Sequence, residues 1–232
     1  MPDTLQTVAA GLLPDATRRL VRSVDALDSA EYAEPSGLPG WTRGHVVAHL
    51  ALNAEGLARA LRGVVDGSPA SMYDSQEARD GDIAELAADQ PAALRARLLG
   101  GGTDLFDALD AIPGDRWATT IERTPGGRVF AAADVVSMRL REVEIHHADL
   151  ACGYTHRSWP TDFVTLLLDT GRAEGLGPLA AYAVDLDRTW RFGDGGPTVS
   201  GPAADLAWWL TGRGTGAGLT SDSGTLPQIG AM

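Results

Sequence analysis

Glu142 and His146 stand four residues apart in the stretch Arg139-Leu140-Arg141-Glu142-Val143-Glu144-Ile145-His146-His147-Ala148-Asp149-Leu150. On a helix that spacing puts both side chains on one face. A carboxylate and an imidazole so placed form half a metal site, because both can reach one ion at about 2 Å. Arg139 lies one turn before this pair and Asp149 one turn beyond it. The other half must come from elsewhere in the chain. The best candidate is His45-Val46-Val47-Ala48-His49, a second pair of groups at i, i+4. One Glu-x-x-x-His is a weak signal, since helices carry that spacing by chance. Two such segments in a chain with only five histidines form a stronger one. The bland alternative for each histidine is a half-buried ring bonded to backbone.

The elements that must position these residues read mostly as helices. Pro14-Asp15 opens the first, with Leu20, Val21, Val24 and Leu27 as its apolar stripe, and the dozen residues before it are expected to fray. The run from Glu34 to Gly40 breaks it. Thr42 caps a second helix, where Val46, Leu50, Leu57, Leu61 and Val64 repeat at bundle spacing. His45, His49 and Asn53 line up beside that stripe. Asp74-Ser75-Gln76-Glu77 resembles a capping box with Asp74 as the cap, before a short helix carrying Ile83 and Leu86. Pro91 opens the next helix, with Leu94, Leu98, Leu105, Leu109 and Ile112. Gly100-Gly101-Gly102 interrupts it at a cost of roughly 3 kcal/mol against alanine. Either that helix bends or breaks, or close packing needs the missing side chains.

Residues 119–131 read as a hairpin around Pro125-Gly126-Gly127. The helix carrying Glu142 and His146 then runs over 134–151 and is closed by Gly153. Beyond Trp159-Pro160 the pattern changes. A helix holds Phe163, Leu166 and Leu167. Tyr182, Val184 and Leu186 alternate with polar or small residues as a strand that continues toward Trp190 and Phe192. A short strand at 198–200 and a helix after Pro202 follow, and the tail from Gly214 is mostly loop. The expected architecture is α+β, with a helical bundle over 1–155 and a small α/β domain over 156–232.

Composition narrows the function classes. The chain of 232 residues is 44% hydrophobic and carries a net charge of −12, which excludes a basic nucleic-acid-binding face. All 19 basic residues are arginine, so any cation that touches a substrate is a two-pronged guanidinium. Cys152 is the only cysteine, so no internal disulfide forms, and its place at the end of an apolar helix marks it as structural rather than nucleophilic. No signal peptide or membrane-spanning run is evident, so a cytoplasmic protein with no membrane partner is expected.

Three stretches together resemble one family: Gly40-Trp41-Thr42-Arg43-Gly44-His45-Val46-Val47-Ala48-His49, Met72-Tyr73-Asp74-Ser75-Gln76-Glu77-Ala78-Arg79, and Arg141-Glu142-Val143-Glu144-Ile145-His146. The chain resembles the mycothiol-dependent maleylpyruvate isomerase family, within the wider DinB-like superfamily of metal-binding four-helix bundles. The resemblance spans nearly the whole chain. It extends through Val199-Ser200-Gly201 and Trp209-Leu210-Thr211-Gly212-Arg213-Gly214 to a small C-terminal α/β domain. It implies that His49, Glu142 and His146 ligate a metal, usually Zn2+, while His45 and His147 do not. It implies mycothiol as the thiol cosubstrate and a small-molecule cis-enoyl acid as substrate, with Arg213 as the catalytic arginine. Reversible addition of the thiolate would make the double bond single and allow rotation. Arg43, Asn53 and Arg139 are further candidates for contacting substrate or cofactor, and Arg141 is a weaker one. Glu144 departs from the pattern, since a bulky apolar residue would be more at home there, and so does His147.

Two His and one Glu leave a fourth zinc position open, the pattern of a catalytic site. The main rival is a mycothiol S-transferase that acts on another electrophile with the same metal and thiol. A non-catalytic metal-binding regulator of the same fold is a third reading. A zinc hydrolase would need a general base, for which only Asp149 and Glu144 offer themselves, and both read more simply as exposed or capping groups. The chain is expected to act as a monomer.

Overall fold

A computed structural model describes residues 4–171 and 177–229 of the chain. They fall into two compact units, Met1–Tyr154 and Thr155–Met232. The first contains α1 (Thr4–Ala26), α2 (Arg43–Asp66), α3 (Gln76–Ala87), α4 (Pro91–Asp110), a hairpin of β1 (Thr120–Glu122) and β2 (Val129–Ala131), and α5 (Val135–Asp149). Helices α1, α2, α4 and α5 form the bundle: α1 lies against α5 and α4, and α2 against α4 and α5. The α+β architecture expected of the sequence is the one observed.

Helix α2 is the centre of this unit. Val46, Val47, Leu50, Ala51, Ala54, Leu57, Ala58 and Leu61 leave it buried on nearly every side, as an apolar helix in the middle of a bundle must be. Thr42 caps it, its hydroxyl accepting from the His45 backbone N–H. The His45 ring answers from Nδ1 to the Thr42 N–H at 3.3 Å, a reciprocal capping box with an imidazole in the usual glutamate position. That contact commits His45 to the helix end.

Two helix starts differ from those read in the sequence, and of the two outcomes expected at the glycines of α4 it is close packing that holds. Helix α1 begins at Thr4 and passes through Pro14, whereas Pro14 was expected to open it. Ala9, Leu13, Ala16, Leu20 and Val24 are all buried at helical spacing, so tertiary burial carries the helix through the missing N–H. The three residues before it lie outside the described residues. Ser75, not Asp74, caps α3, accepting from the Ala78 N–H at 3.0 Å. Helix α4 runs unbroken through its three glycines. A Cβ on Gly101 would sit 3.1 Å from the Ala51 carbonyl oxygen, while Gly100 and Gly102 have nothing within 4 Å. Close packing of α4 on α2 therefore needs one of the three.

The second unit holds α6 (Thr161–Asp169), β3 (Leu179–Ala183), β4 (Arg188–Phe192), β5 (Thr198–Gly201), α7 (Ala203–Leu210) and β6 (Thr220–Ser221). Its sheet has the order β4-β3-β5-β6, with β3 parallel to β5 and the other pairs antiparallel. The single strand expected from Tyr182 to Phe192 is two, because the chain turns between Ala183 and Arg188. Val184 is exposed, and Asp187 takes a left-handed φ of 47° in that turn. Apolar Leu179, Ala180, Ala181 and Ala183 bury both faces of β3, so no alternation marks it. Residues 230–232 of the tail lie outside the described residues.

Candidate metal centre

Helices α2 and α5 bring His49, Glu142 and His146 together, with one donor atom from each lying within 4.8 Å of the others. His49 Nε2 is 2.8 Å from Glu142 Oε2, and His146 Nε2 is 3.4 Å from the same oxygen. The two imidazole rings meet edge to face, their centroids 4.6 Å apart. Trp41 packs edge-on to His49, with the ring centroids 5.7 Å apart. This is the only such group of three or more potential ligands among the described residues. His45 is not part of it.

The electrostatics suit ligation. Burial pushes His49 down to about 4 despite its hydrogen bond to Glu142, so the ring is neutral at pH 7. Burial alone would raise Glu142, but hydrogen bonds with His146 and His49 hold it well below the usual carboxylate range. Metal ligation requires those two states, a bare imidazole nitrogen and an ionised carboxylate. Burial lowers His146, and its bonds to Asp149 and Glu142 more than offset this and raise it.

Neighbouring side chains fix the three. Asp149 Oδ2 accepts from His146 Nδ1 at 2.9 Å. Asp149 was expected to be exposed or capping, and it is instead 1% exposed. Arg79 Nη2 donates to His49 Nδ1 at 3.0 Å. Below the group, Arg139 Nη1 donates to the Leu50 carbonyl at 2.9 Å and to Asn53 Oδ1 at 2.7 Å. Arg139 is fully enclosed, and burial brings it down to about 10 against the pull of Glu142. It and Asn53, expected to touch substrate or cofactor, are tied to each other between α2 and α5.

Arg43 is placed elsewhere as well. It donates to the Leu150 and Ala151 carbonyls at the end of α5 and pairs with Glu31 and Glu34. Its bonds are used in closing the helix end, which argues against a substrate contact. Arg213 belongs to the second unit, with its guanidinium 5.7 Å from the Trp208 ring centroid and Nη1 donating to the Thr211 carbonyl.

The family described as the mycothiol maleylpyruvate isomerase N-terminal domain matches residues 13–151, which include all three clustered side chains. The chain belongs to that family. Two crystal structures resemble it over almost their whole length. One is of the mycothiol-dependent maleylpyruvate isomerase, at 30% identity and a TM-score of 0.88, covering 99% of this chain and 98% of that one. The other is of a histidine-to-alanine mutant of the mycothiol-dependent maleylpyruvate isomerase, at 29% identity and the same TM-score and coverage. No curated protein sequence matches the chain. The resemblance to the isomerase family read from the three motifs is thereby established.

Within this family frame, Glu144 and His147 acquire a place. Glu144 was expected to be exposed or capping; it is fully buried, accepting from Arg19 Nη2 at 2.6 Å and from the Tyr154 hydroxyl. His147 stacks on Tyr154 at 3.7 Å between centroids and bonds Ser23 at 2.7 Å. Both face α1, away from the face of α5 that carries Glu142 and His146. Arg79 was missed as a site residue. It stands at the end of the second family motif, but its contact with His49, 30 positions away, has no signature in spacing.

Proposed function

We propose that the chain is a zinc- and mycothiol-dependent cis–trans isomerase that converts maleylpyruvate to fumarylpyruvate, working as a monomer in the cytoplasm. The observation that carries this is the convergence of His49, Glu142 and His146 in a chain of this family. The donor set fits zinc, with two imidazoles and a carboxylate leaving one tetrahedral position open. When bound, the ion supplies the positive charge that keeps a nearby thiol deprotonated at neutral pH. Reversible addition of that thiol to the alkene supplies the single bond about which the substrate rotates.

The chain's own residues then have distinct tasks. His49, Glu142 and His146 would hold the ion. Asp149 orients His146 by accepting a hydrogen bond from its Nδ1–H, which leaves Nε2 for ligation. Arg139 and Asn53 lock α5 to α2 one turn from the ligands. Arg213 is the proposed catalytic arginine, orienting substrate carboxylates and stabilising enolate charge. Cys152 is no rival nucleophile, because burial raises its thiol and it borders a different cavity beside α1. No helix among the described residues is long and apolar enough to cross a membrane.

The test is conversion of maleylpyruvate by zinc-loaded protein with and without mycothiol, beside a His49→Ala control. Thiol-dependent formation of fumarylpyruvate, lost in the control, is expected. Metal binding without conversion would sink the isomerase assignment and turn the search to thiol conjugates of other electrophiles.

A further inference from the structure

The wiring of His49 admits one arrangement of its proton. Arg79 donates to Nδ1 at 3.0 Å, and a guanidinium has no acceptor to offer in return. Nδ1 is therefore the bare nitrogen. Nε2 carries the proton and gives it to Glu142 Oε2 at 2.8 Å. An ion held through Nε2 needs that lone pair, and the neutral ring must then carry its proton on Nδ1. There it points at the donor group of Arg79. One proton leaves Nε2 and one arrives at Nδ1, so the ring stays neutral while its bond to Arg79 becomes a clash of two donors.

Arg79 is poised to leave. Its Nε is buried with no partner, and Nη1 is held by Asp80 at 2.7 Å, an exposed carboxylate whose bond costs little to exchange. Nε and Nη2 form the edge of a guanidinium that takes a carboxylate side-on with two parallel bonds. Loss of His49 would free Nη2 beside the unpartnered Nε. The guanidinium lies 5.7 Å from the Tyr73 ring centroid and borders a cleft of about 240 Å³ also lined by Arg59, Tyr73 and Asp74.

We infer that metal loading at His49, Glu142 and His146 releases Arg79 from His49 and presents its Nε–Nη2 edge to a carboxylate of the substrate, so that metal and organic anion bind cooperatively through this side chain. The inference rests on the metal assignment proposed above. It makes Arg79 a substrate-binding residue that is occupied when the metal is absent and available when it is present.

The experiment is a Zn2+ titration of metal-free protein against a chromophoric chelator, with and without maleate and with no thiol present. Wild type, Arg79→Met and Arg79→Gln are compared. Linkage requires that maleate tighten Zn2+ binding by the factor by which Zn2+ tightens maleate binding, about tenfold for a coupling of ordinary size. In both variants the factor should fall below about twofold, and Zn2+ alone should bind more tightly because the opposing donor is gone. Undiminished coupling in the variants would overturn the inference, since maleate would then be reaching the ion without Arg79. A second readout needs no variant: ring ¹⁵N shifts of His49 should move the proton from Nε2 to Nδ1 on Zn2+ addition. A ring that keeps its metal-free proton pattern with Zn2+ bound would also overturn it. Failure of the wild type to bind Zn2+ at all would instead remove the metal assignment, and this inference with it.

Discussion

Asp149 Oδ2 accepts from His146 Nδ1 at 2.9 Å, which leaves His146 Nε2 turned toward Glu142, 3.4 Å from its Oε2. The carboxylate thus fixes both the tautomer and the rotation of a proposed metal ligand. Such outer partners are typically worth 10–100-fold in metal affinity. Asp149→Ala is therefore expected to weaken Zn2+ binding by about that factor in a chelator competition. Glu142→Gln, which removes a ligand charge, should weaken it further. Wild-type affinity in Asp149→Ala would show that the ring is held by packing alone.

The resemblance placed His49, Glu142 and His146 because helical spacing and motif order are written locally in the chain. The stripe of α2 was legible for the same reason. What surrounds these three side chains was not. Arg79 reaches His49 from another helix, and Asp149 looks like any helix-end acid until its burial is seen. Local rules also misled where tertiary packing overrode them. Pro14 is the usual signal of a helix start, yet the buried faces of Ala9 and Leu13 carry α1 past it. The turn between β3 and β4 was hidden because an apparent alternation through Val184 ran on where the chain in fact reverses.

Glu144 should be costly to strand and cheap to replace. It is wholly buried, and its partners include the partly buried Arg19 and the Tyr154 hydroxyl. Removing one partner leaves a buried carboxylate poorly matched, so Arg19→Ala is expected to cost about 3 kcal/mol in urea unfolding. Exchanging both, Arg19→Met with Glu144→Leu, should cost far less than the sum of the single changes. Additive losses would mean that the pair interacts weakly and that Glu144 is supported mainly by Tyr154.

The three glycines of α4 should respond differently to alanine. Nothing lies within 4 Å of a Cβ at Gly100 or Gly102, so each change should stabilise by about 0.5–1 kcal/mol through helix propensity and a less flexible unfolded chain. At Gly101 the new Cβ would press at 3.1 Å on the Ala51 carbonyl oxygen and on Glu55 Cγ. The first belongs to the backbone of the central helix and cannot move without displacing it. Gly101→Ala is expected to be destabilising, and thermal unfolding of the three variants orders them. A gain at Gly101 equal to the other two would show that α2 and α4 can separate at little cost.

His147 should make the metal-free protein less stable in mild acid. Burial, with the Arg19 charge nearby, pushes it down to about 3. In the unfolded chain a histidine takes up a proton near pH 6.5. Below that pH the unfolded state binds a proton that the folded state refuses, so stability falls as pH falls, over a window from about 6.5 down toward 3. The slope is at most ~1.4 kcal/mol per pH unit for one group. His49, down at about 4, adds to the effect, while the raised His146 opposes it. The His147 share is isolated by His147→Phe, which keeps a ring to stack on Tyr154. With chelator present, urea unfolding of the variant should lose ~2 kcal/mol less than wild type between pH 7 and pH 5. Equal losses would mean that His147 takes up its proton inside the fold, and the Ser23 contact at 2.7 Å would then have to be made by an imidazolium donor.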